Sequence, residues 1–176
     1  MPPSEEPFRP SVTVAAVVER DGRFLLVEEH TEDGLRLNQP AGHLDPGETL
    51  PAAATRETLE ETAYAFTARA LVGVYLLRAE RREGPPRTFL RFAFTGELGA
   101  HDPTRRLDEG IVRAVWMSAE ELRACPERHR SPLVQQCVDD YLAGRRYDLA
   151  VLQAHPGAVW TDVVDAGGDG PMGPAA

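Results

Sequence analysis

The sequence predicts an α/β fold in which helices cover a mixed β-sheet. Three observations favour this fold: valine-rich and aromatic runs recur along the chain, an alanine- and glutamate-rich helical segment follows residue 49, and a second amphipathic segment lies near the C-terminal end. With 176 residues, the chain is long enough for one domain with a sizeable core. We expect this domain at residues 11–152. Residues 1–10 are predicted to form a flexible arm and residues 153–176 a largely irregular tail.

The first half of the chain is predicted to form a hairpin, a long loop and a helix. Residues 11–20 and 23–30 are two apolar runs around the turn signal Asp21-Gly22, a pattern typical of a β-hairpin. Residues 31–48 contain three glycines and two prolines, so we expect mostly loop. Thr49 is the predicted start of a helix, because Pro51 in the first turn is tolerated there and no breaker follows.

The second half is predicted to add three strands and two helices. Strands are expected at residues 68–80, 88–98 and 111–117, separated by a charged turn at 81–87 and a loop at 99–110. Ser118 and Glu121 have the spacing of a capping box at the start of a short helix. Residues 131–144 carry one apolar stripe and end at a glycine, which predicts a helix there.

Composition and charge narrow the possible functions. The net charge of −9 argues against unaided binding of a nucleic-acid polymer or an anionic membrane. All 19 basic residues are arginine, so any side-chain cation that contacts a phosphate is a guanidinium. No apolar run approaches the roughly 20 residues of a membrane span, and the N-terminus lacks a signal-peptide pattern, so we expect a cytoplasmic protein. Cys125 and Cys137 lack the spacing of a zinc site, and we interpret them as ordinary thiols.

Three glutamates crowd one side of the predicted first helix. Glu57, Glu60 and Glu61 stand at i, i+3 and i+4, where like charges repel. A divalent cation such as Mg²⁺ or Mn²⁺ would remove this repulsion, because hard ions take carboxylate oxygens and can bind substrate phosphates at the same time. The alternative is a solvated acidic face that pairs with Arg56 and other arginines.

The spacing around these glutamates resembles the Nudix box, the signature motif of the Nudix hydrolase family. Six fixed positions of that motif match at their spacing: Gly42, Glu48, Arg56, Glu57, Glu60 and Glu61. Two positions depart from it, since Thr58 stands where the motif has an apolar residue and Ala63 where it has glycine. Alanine adopts the left-handed conformation poorly, so the geometry at the end of the helix is expected to differ.

The resemblance implies a Nudix α/β/α sandwich and a set of residue roles. Glu57, Glu60 and Glu61 would bind Mg²⁺ or Mn²⁺, with the Gly42 carbonyl as a fourth ligand. Glu48 would contact this ligand set without belonging to it, and Arg56 would orient the carboxylates. Water would then attack a phosphorus atom of a diphosphate, helped by the metal. The general base is left open among Glu60, Glu61 and Glu109, the last of which lies just before the predicted strand at 111–117.

A closer resemblance extends beyond the box, over roughly residues 10–152. It is carried by segments such as "NQPAGHL", "FLRF" and "RSPLV", and is similar to a Nudix branch with a bacterial phosphatase of nucleoside tri- and diphosphates and of hydroxymethylpyrimidine pyrophosphate. It implies that Asn38 and Gln39 contact the substrate. Leu37 stands where that branch has tryptophan, so a stacking surface would come from elsewhere, with Phe89, Tyr75 and Trp116 as candidates.

Arg91 is a further candidate for substrate binding. Strand alternation places it on the same face as Phe89 and Ala93. A guanidinium among apolar residues needs an anionic partner, either a carboxylate of the protein or a substrate phosphate. We therefore expect an enzyme, monomeric or homodimeric, that acts on a small phosphorylated substrate. The alternatives are a nucleotide-sensing module without catalysis and a hydrolase of ADP-ribose or dinucleoside polyphosphates.

Overall fold

A computed structural model describes residues 7–81 and 83–159, which form eight strands and three α-helices. The strands are β1 (Ser11–Ala16), β2 (Glu19–Arg20), β3 (Arg23–Thr31), β4 (Gly34–Asn38), β5 (Ala41–His43), β6 (Tyr64–Ala79), β7 (Arg87–His101) and β8 (Ile111–Ser118). The helices are α1 (Leu50–Thr62), α2 (Ala119–Arg123) and α3 (Leu133–Leu142). The predicted second-half elements are all present; β6 begins four residues before its predicted start, and β7 extends beyond both of its predicted ends.

The strands form two sheets. In the first, the order is β5-β1-β7-β6, with β1 and β7 parallel and the other neighbours antiparallel. In the second, β3 pairs antiparallel with β2, β4 and β8. The prediction of a mixed sheet is confirmed for the first of these.

Helices cover both faces of the strand layer. Alternate residues of β1 and β3 point to opposite sides, as the strand period of two requires. Val14 and Leu25 pack in the core cluster that contains α1, whereas Ala15 and Leu26 pack in the cluster that contains α2 and α3. The predicted α/β/α sandwich is therefore confirmed.

The predicted hairpin at residues 11–30 is only partly correct. The turn at Asp21-Gly22 does join two paired strands, and both residues have positive φ (53° and 76°), as a tight hairpin turn requires. However, β2 has only two residues, and β1 leaves for the other sheet, where it lies between β5 and β7. Both faces of β1 are buried, so its hydrophobic pattern could not indicate its partner.

The predicted loop at residues 31–48 is wrong in its middle. Strand β4 returns along β3 after a turn at Gly34, whose φ is 93°, and it places Leu37 fully in the core. Strand β5 then adds to the edge of the first sheet. Gly34, Pro40, Pro46 and Gly47 therefore mark the turns around these short strands, whereas Gly42 lies within β5.

Helix α1 begins as predicted and ends in an unusual way. The Thr49 side chain caps the helix by accepting a hydrogen bond from Ala52 N (3.3 Å). At the other end Ala63 adopts the left-handed conformation with φ of 59°, which glycine would favour, so the expectation that alanine changes the geometry of this helix end is wrong. Thr58 is fully buried, and its hydroxyl donates to Ala54 O (2.7 Å), so this polar side chain fits an apolar position without an unpaired group.

The two ends of the chain lie partly outside the described residues, namely residues 1–6 of the predicted arm and 160–176 of the predicted tail. Within the described part of the tail, Val159 forms a β-bridge with Gly47. Cys125 and Cys137 are free thiols, as predicted. No helix within residues 7–81 and 83–159 is long and apolar enough to cross a membrane.

Candidate active site

Two carboxylates of α1 reach the open edge of β5. Glu61 accepts a hydrogen bond from Ala41 N (2.9 Å), and the carboxylate of Glu57 packs so closely on Gly42 that a Cβ there would overlap it. Both glutamates are buried, with relative exposures of 8% and 9%. A side chain at position 42 would displace the Glu57 carboxylate from β5, which gives the glycine of the predicted motif a steric reason.

Arg56 contacts three glutamates of the cluster and holds their carboxylates in place. Its guanidinium makes a bidentate pair with Glu48 (3.0 and 2.7 Å) and also donates to Glu57 (2.8 Å) and Glu60 (3.0 Å). The hydrogen bonds to Glu48 are the largest of the effects that raise the pKa of Arg56. The structure therefore brings together Glu48, Arg56, Glu57, Glu60 and Glu61, as the spacing in the sequence predicts.

This arginine does not neutralise the whole cluster. Burial raises the pKa of Glu61 to about 8, and the charges of Glu57, Glu29 and Asp108 act in the same direction. Burial also raises the pKa of Glu57, against the opposing effect of Arg56. Two buried carboxylates that repel each other constitute a site that a cation would stabilise.

The donor atoms fit a hard divalent cation, although the side chains are not fully converged on one point. No group of three acidic, histidine or cysteine side chains in residues 7–81 and 83–159 is arranged to hold a metal ion. Both Glu57 and Glu60 accept hydrogen bonds from Arg56, whereas Glu61 accepts one from the backbone of β5. Because all these donors are oxygens, the residues fit Mg²⁺ or Mn²⁺ better than a soft metal.

The expected role of the Gly42 carbonyl does not fit the strand pairing. Ala16 N donates to Pro40 O (2.9 Å), and hydrogen-bonded pairs alternate along an antiparallel ladder, so the Val14–Gly42 pair is also hydrogen-bonded. The carbonyl of Gly42 therefore faces β1. Ala41 has the opposite orientation, since its N–H already points to the helix carboxylates, and its carbonyl is the one that faces the acidic cluster.

A cleft of about 1010 Å³ begins at Ala41 and Gly42 and runs across one face of the first sheet. Arg91 and Phe89 both line it, which confirms that they share a face of β7. Arg91 donates to Asn38 Oδ1 over 3.4 Å, and Asn38 in turn donates to Glu29 (3.3 Å). Burial lowers the pKa of Arg91, and no ion pair within 4.0 Å neutralises it among the described residues.

The other predicted substrate contacts divide into those in the cleft and those in the core. Asn38 lines the cleft. Gln39 is 1% exposed and donates to Val134 O (2.8 Å) under α3, so its predicted contact with substrate does not fit this position. Among the aromatic candidates only Phe89 lines the cleft, because the hydroxyl of Tyr75 donates to buried Asp140 and Trp116 packs beneath Arg20.

The loop before β8 also lies beside the acidic cluster, but through Asp108. Its backbone N–H donates to Glu60 O (3.1 Å), and its charge raises the pKa of both Glu57 and Glu61. Glu109 is exposed, and its role as a base stays a prediction. Asp108 is exposed as well, but its charge acts on both buried glutamates, and nothing in "RLDEG" indicates which of the two neighbouring carboxylates does so.

Other residues of the cleft were also missed. The sequence offered a clue for His43, because it directly follows Gly42 of the motif. Thr13 and Arg130 had none, because only the pairing of β1 with β7 and the fold of the segment before α3 bring them to the cleft. Arg130 lies 3.7 Å from Glu29.

Comparisons with known proteins agree with this geometry. The NUDIX domain family model matches residues 7–137. Phosphatase NudJ of Escherichia coli K12 is 41% identical over 146 residues, which is 82% of this chain and 92% of that protein, and phosphatase NudJ of Shigella flexneri gives the same values. The structure of a NUDIX hydrolase from Nitrosomonas europaea aligns with a TM-score of 0.79 and 50% identity, covering 85% of this chain and 99% of that one.

Proposed function

Because the chain belongs to the Nudix family and is a pyrophosphohydrolase, we propose that it hydrolyses nucleoside tri- and diphosphates or hydroxymethylpyrimidine pyrophosphate with Mg²⁺ or Mn²⁺. The observation that carries this proposal is the pair of buried, incompletely neutralised carboxylates of Glu57 and Glu61. They contact Gly42 and Ala41, which line the same cleft as Arg91, a guanidinium without an ion pair within 4.0 Å among the described residues. A cytoplasmic location is part of the same proposal.

The metal would be held by oxygen atoms at the contact of α1 with β5. Family members generally use divalent metal ions. We assign Glu57, Glu61 and the Ala41 carbonyl as ligands, with Glu60 joining them when it turns from Arg56. When bound, the ion would supply a more acidic water and neutralise charge on the phosphoryl oxygens. Arg56 and Glu48 would hold the carboxylates in place, since their bidentate pair restricts both side chains.

The chain's own groups would position the phosphates and accept a proton. Arg91 would donate its planar fork to the phosphate oxygens, replacing the weak 3.4 Å contact with Asn38. The base is one of Glu60, Glu61, Glu109 and Asp108, and Asp108 enters this set because its charge acts on both Glu57 and Glu61. Comparing Asp108→Asn with Glu109→Gln, two adjacent variants that each remove one charge, would separate the loop candidates.

A substrate panel with and without metal tests the proposal. We expect phosphate release from nucleoside tri- and diphosphates or from hydroxymethylpyrimidine pyrophosphate when Mg²⁺ or Mn²⁺ is present, and none after exhaustive EDTA treatment. Preference for ADP-ribose or a dinucleoside polyphosphate would replace the proposed substrate. Full activity in EDTA would rule out the metal-dependent mechanism. A non-catalytic sensor is no longer supported, because the relatives are hydrolases.

The variant Glu61→Gln tests the acidic cluster itself. It preserves the shape of the side chain but removes an anionic ligand, so turnover should fall by about two orders of magnitude or more. Glu97→Gln is the matched control, because this glutamate is exposed on β7 and pairs with Arg69. Near-normal turnover of Glu61→Gln at saturating Mg²⁺ would exclude Glu61 from the site.

A further inference from the structure

We propose that His43, Phe89 and Thr13 form a ring slot that takes a planar heteroaromatic ring joined to the phosphate chain of the substrate. His43 and Phe89 are its walls, and the Thr13 hydroxyl lies at its floor. This inference rests on the proposed function, which assigns a binding site to the phosphates of the substrate. The ring slot adds a binding site for the group that is attached to those phosphates.

Strand pairing places these residues in two adjacent rows. Thr13 on β1 pairs with His43 on one side and with Arg91 on the other, and directly paired residues point to the same face. Phe89 lies two residues before Arg91 on β7, on that face, at a distance along the strand of about 7 Å. A ring at Phe89 would thus lie next to a phosphate at Arg91.

The walls have nearly the spacing that an inserted ring needs. The ring centroids of His43 and Phe89 are 6.4 Å apart, with 50° between their planes. Optimal contact between carbon atoms is about 3.5 Å, so a ring between two others requires about 7 Å. Arg87 borders the same wall, with its guanidinium 5.9 Å from the Phe89 centroid, and can cover the outer edge of a bound ring. A ring therefore enters once His43 has moved outward and has turned its plane toward that of Phe89.

The floor has an unused hydrogen-bonding group. Thr13 is 6% exposed, and its hydroxyl has no hydrogen-bond partner among residues 7–81 and 83–159. Buried polar groups are nearly always paired, so an unpaired hydroxyl that borders a cleft calls for a partner. The slot therefore requires that the movement of His43, which pairs directly with Thr13, also exposes this hydroxyl to a nitrogen or oxygen on the edge of the heteroaromatic ring.

Binding of a cleavage-resistant analogue tests the ring slot separately from catalysis. The probe is a nucleoside diphosphate with a methylene bridge between its phosphorus atoms, measured by calorimetry with Mg²⁺ present. Thr13→Val removes only the hydroxyl, and Phe89→Leu removes one wall. We expect each to raise Kd about fivefold, the scale of one hydrogen bond or one aromatic contact. Thr88→Val, on the opposite face of β7, is the matched control and should leave Kd unchanged.

Methylenediphosphonate, which has no ring, is the second probe and should bind all four proteins equally. An unchanged Kd for the ring-bearing analogue in Thr13→Val and Phe89→Leu overturns the ring slot, as does an equal loss for both probes or no binding by the wild type. Absent turnover in the substrate panel refutes the proposed function without altering these binding results. Relative kcat/KM values for a nucleoside diphosphate and for hydroxymethylpyrimidine pyrophosphate show whether the ring is a nucleobase or a free pyrimidine.

Discussion

At the scale of single residues, the site depends on which charges are paired. Arg56 has three glutamate partners within 3.0 Å, whereas Arg91 makes no ion pair within 4.0 Å in residues 7–81 and 83–159 and donates to the amide oxygen of Asn38 over 3.4 Å. A bond of that length contributes little to folding. The two arginines therefore have different roles: Arg56 binds carboxylates of the protein, whereas Arg91 is available to an anionic ligand.

The variant Arg91→Ala tests this division. It should raise KM for a diphosphate substrate about 10-fold or more, because a charge-assisted hydrogen bond to phosphate contributes about 1.5–3 kcal/mol. The melting temperature should change little, since Arg91 has no ion pair within 4.0 Å among the described residues and its hydrogen bond to Asn38 is weak. Steady-state kinetics and a thermal melt on the same sample measure both effects.

Arg69→Ala is the control for Arg91→Ala, because its guanidinium is exposed and pairs with Glu97 on the surface. It should change neither KM nor the melting temperature. If Arg91 were structural, its replacement would lower the melting temperature clearly and leave KM where it was.

The sequence predicts which residues belong to the site better than it predicts how their polar groups are oriented. The spacing of Glu57 and Glu61 predicts that both carboxylates lie on one side of a helix, and the fold confirms it. The sequence does not predict which backbone carbonyl of β5 points toward these carboxylates. This depends on which residues of β5 form hydrogen-bonded pairs with β1. The same limit explains why Asp108 was overlooked in favour of Glu109.

At the scale of elements, the helices could be predicted better than the strand partners. A helix satisfies its own backbone, so local signals such as the capping box of Ser118 and Glu121 are sufficient, and both bonds of that box are present. A strand needs a partner that can be distant in the chain. Strand β1 pairs with β7, some 78 residues away at Ser11 and Phe89, and no local pattern contains that information.

The end of α1 offers a prediction about its stability. Glycine at position 63 would relieve the left-handed strain of about 1–2 kcal/mol, but it would lose a buried methyl group and add freedom to the unfolded chain. These effects nearly cancel, so Ala63→Gly should change the free energy of unfolding by less than about 0.5 kcal/mol. Denaturant unfolding measures this change.

Ala54→Gly is the control for Ala63→Gly. Ala54 is as deeply buried but lies within the helix, where glycine relieves no strain. The propensity loss of about 1 kcal/mol and the lost methyl burial of about 0.8 kcal/mol then add. Equal losses for the two variants would show that Ala63 is not strained.

At the scale of the whole molecule, an ion pair network joins segments that are far apart in the chain. Glu28 on β3 accepts hydrogen bonds from Arg113 on β8 (2.8 Å) and from Arg128 in the turn before α3 (2.7 Å). Glu28 is only 7% exposed. Its carboxylate therefore ties the second sheet to the segment that leads into α3, which in turn forms part of the cleft with Arg130 and Ser131.

The stability of the folded protein should depend on pH through Glu28. The hydrogen bond from Arg113 is the largest effect that lowers the pKa of Glu28 below its usual 4.5. A lowered pKa in the folded state gives stability that is complete above the unfolded-state pKa and is lost as pH falls through the folded-state value. Glu28→Gln should therefore cost on the order of 1–2 kcal/mol at pH 7, a modest figure because both arginines reach solvent.

That cost should shrink as the pH falls from about 5 toward 3, because the wild-type carboxylate becomes protonated and is then uncharged, like the glutamine of the variant. Urea unfolding of wild type and Glu28→Gln at several pH values gives the difference directly. Glu97→Gln, which removes an exposed carboxylate paired with Arg69, should show no comparable cost at any pH. A penalty for Glu28→Gln that stayed constant from pH 7 to pH 3 would mean that the lost contacts depend on the shape of the side chain and not on its charge.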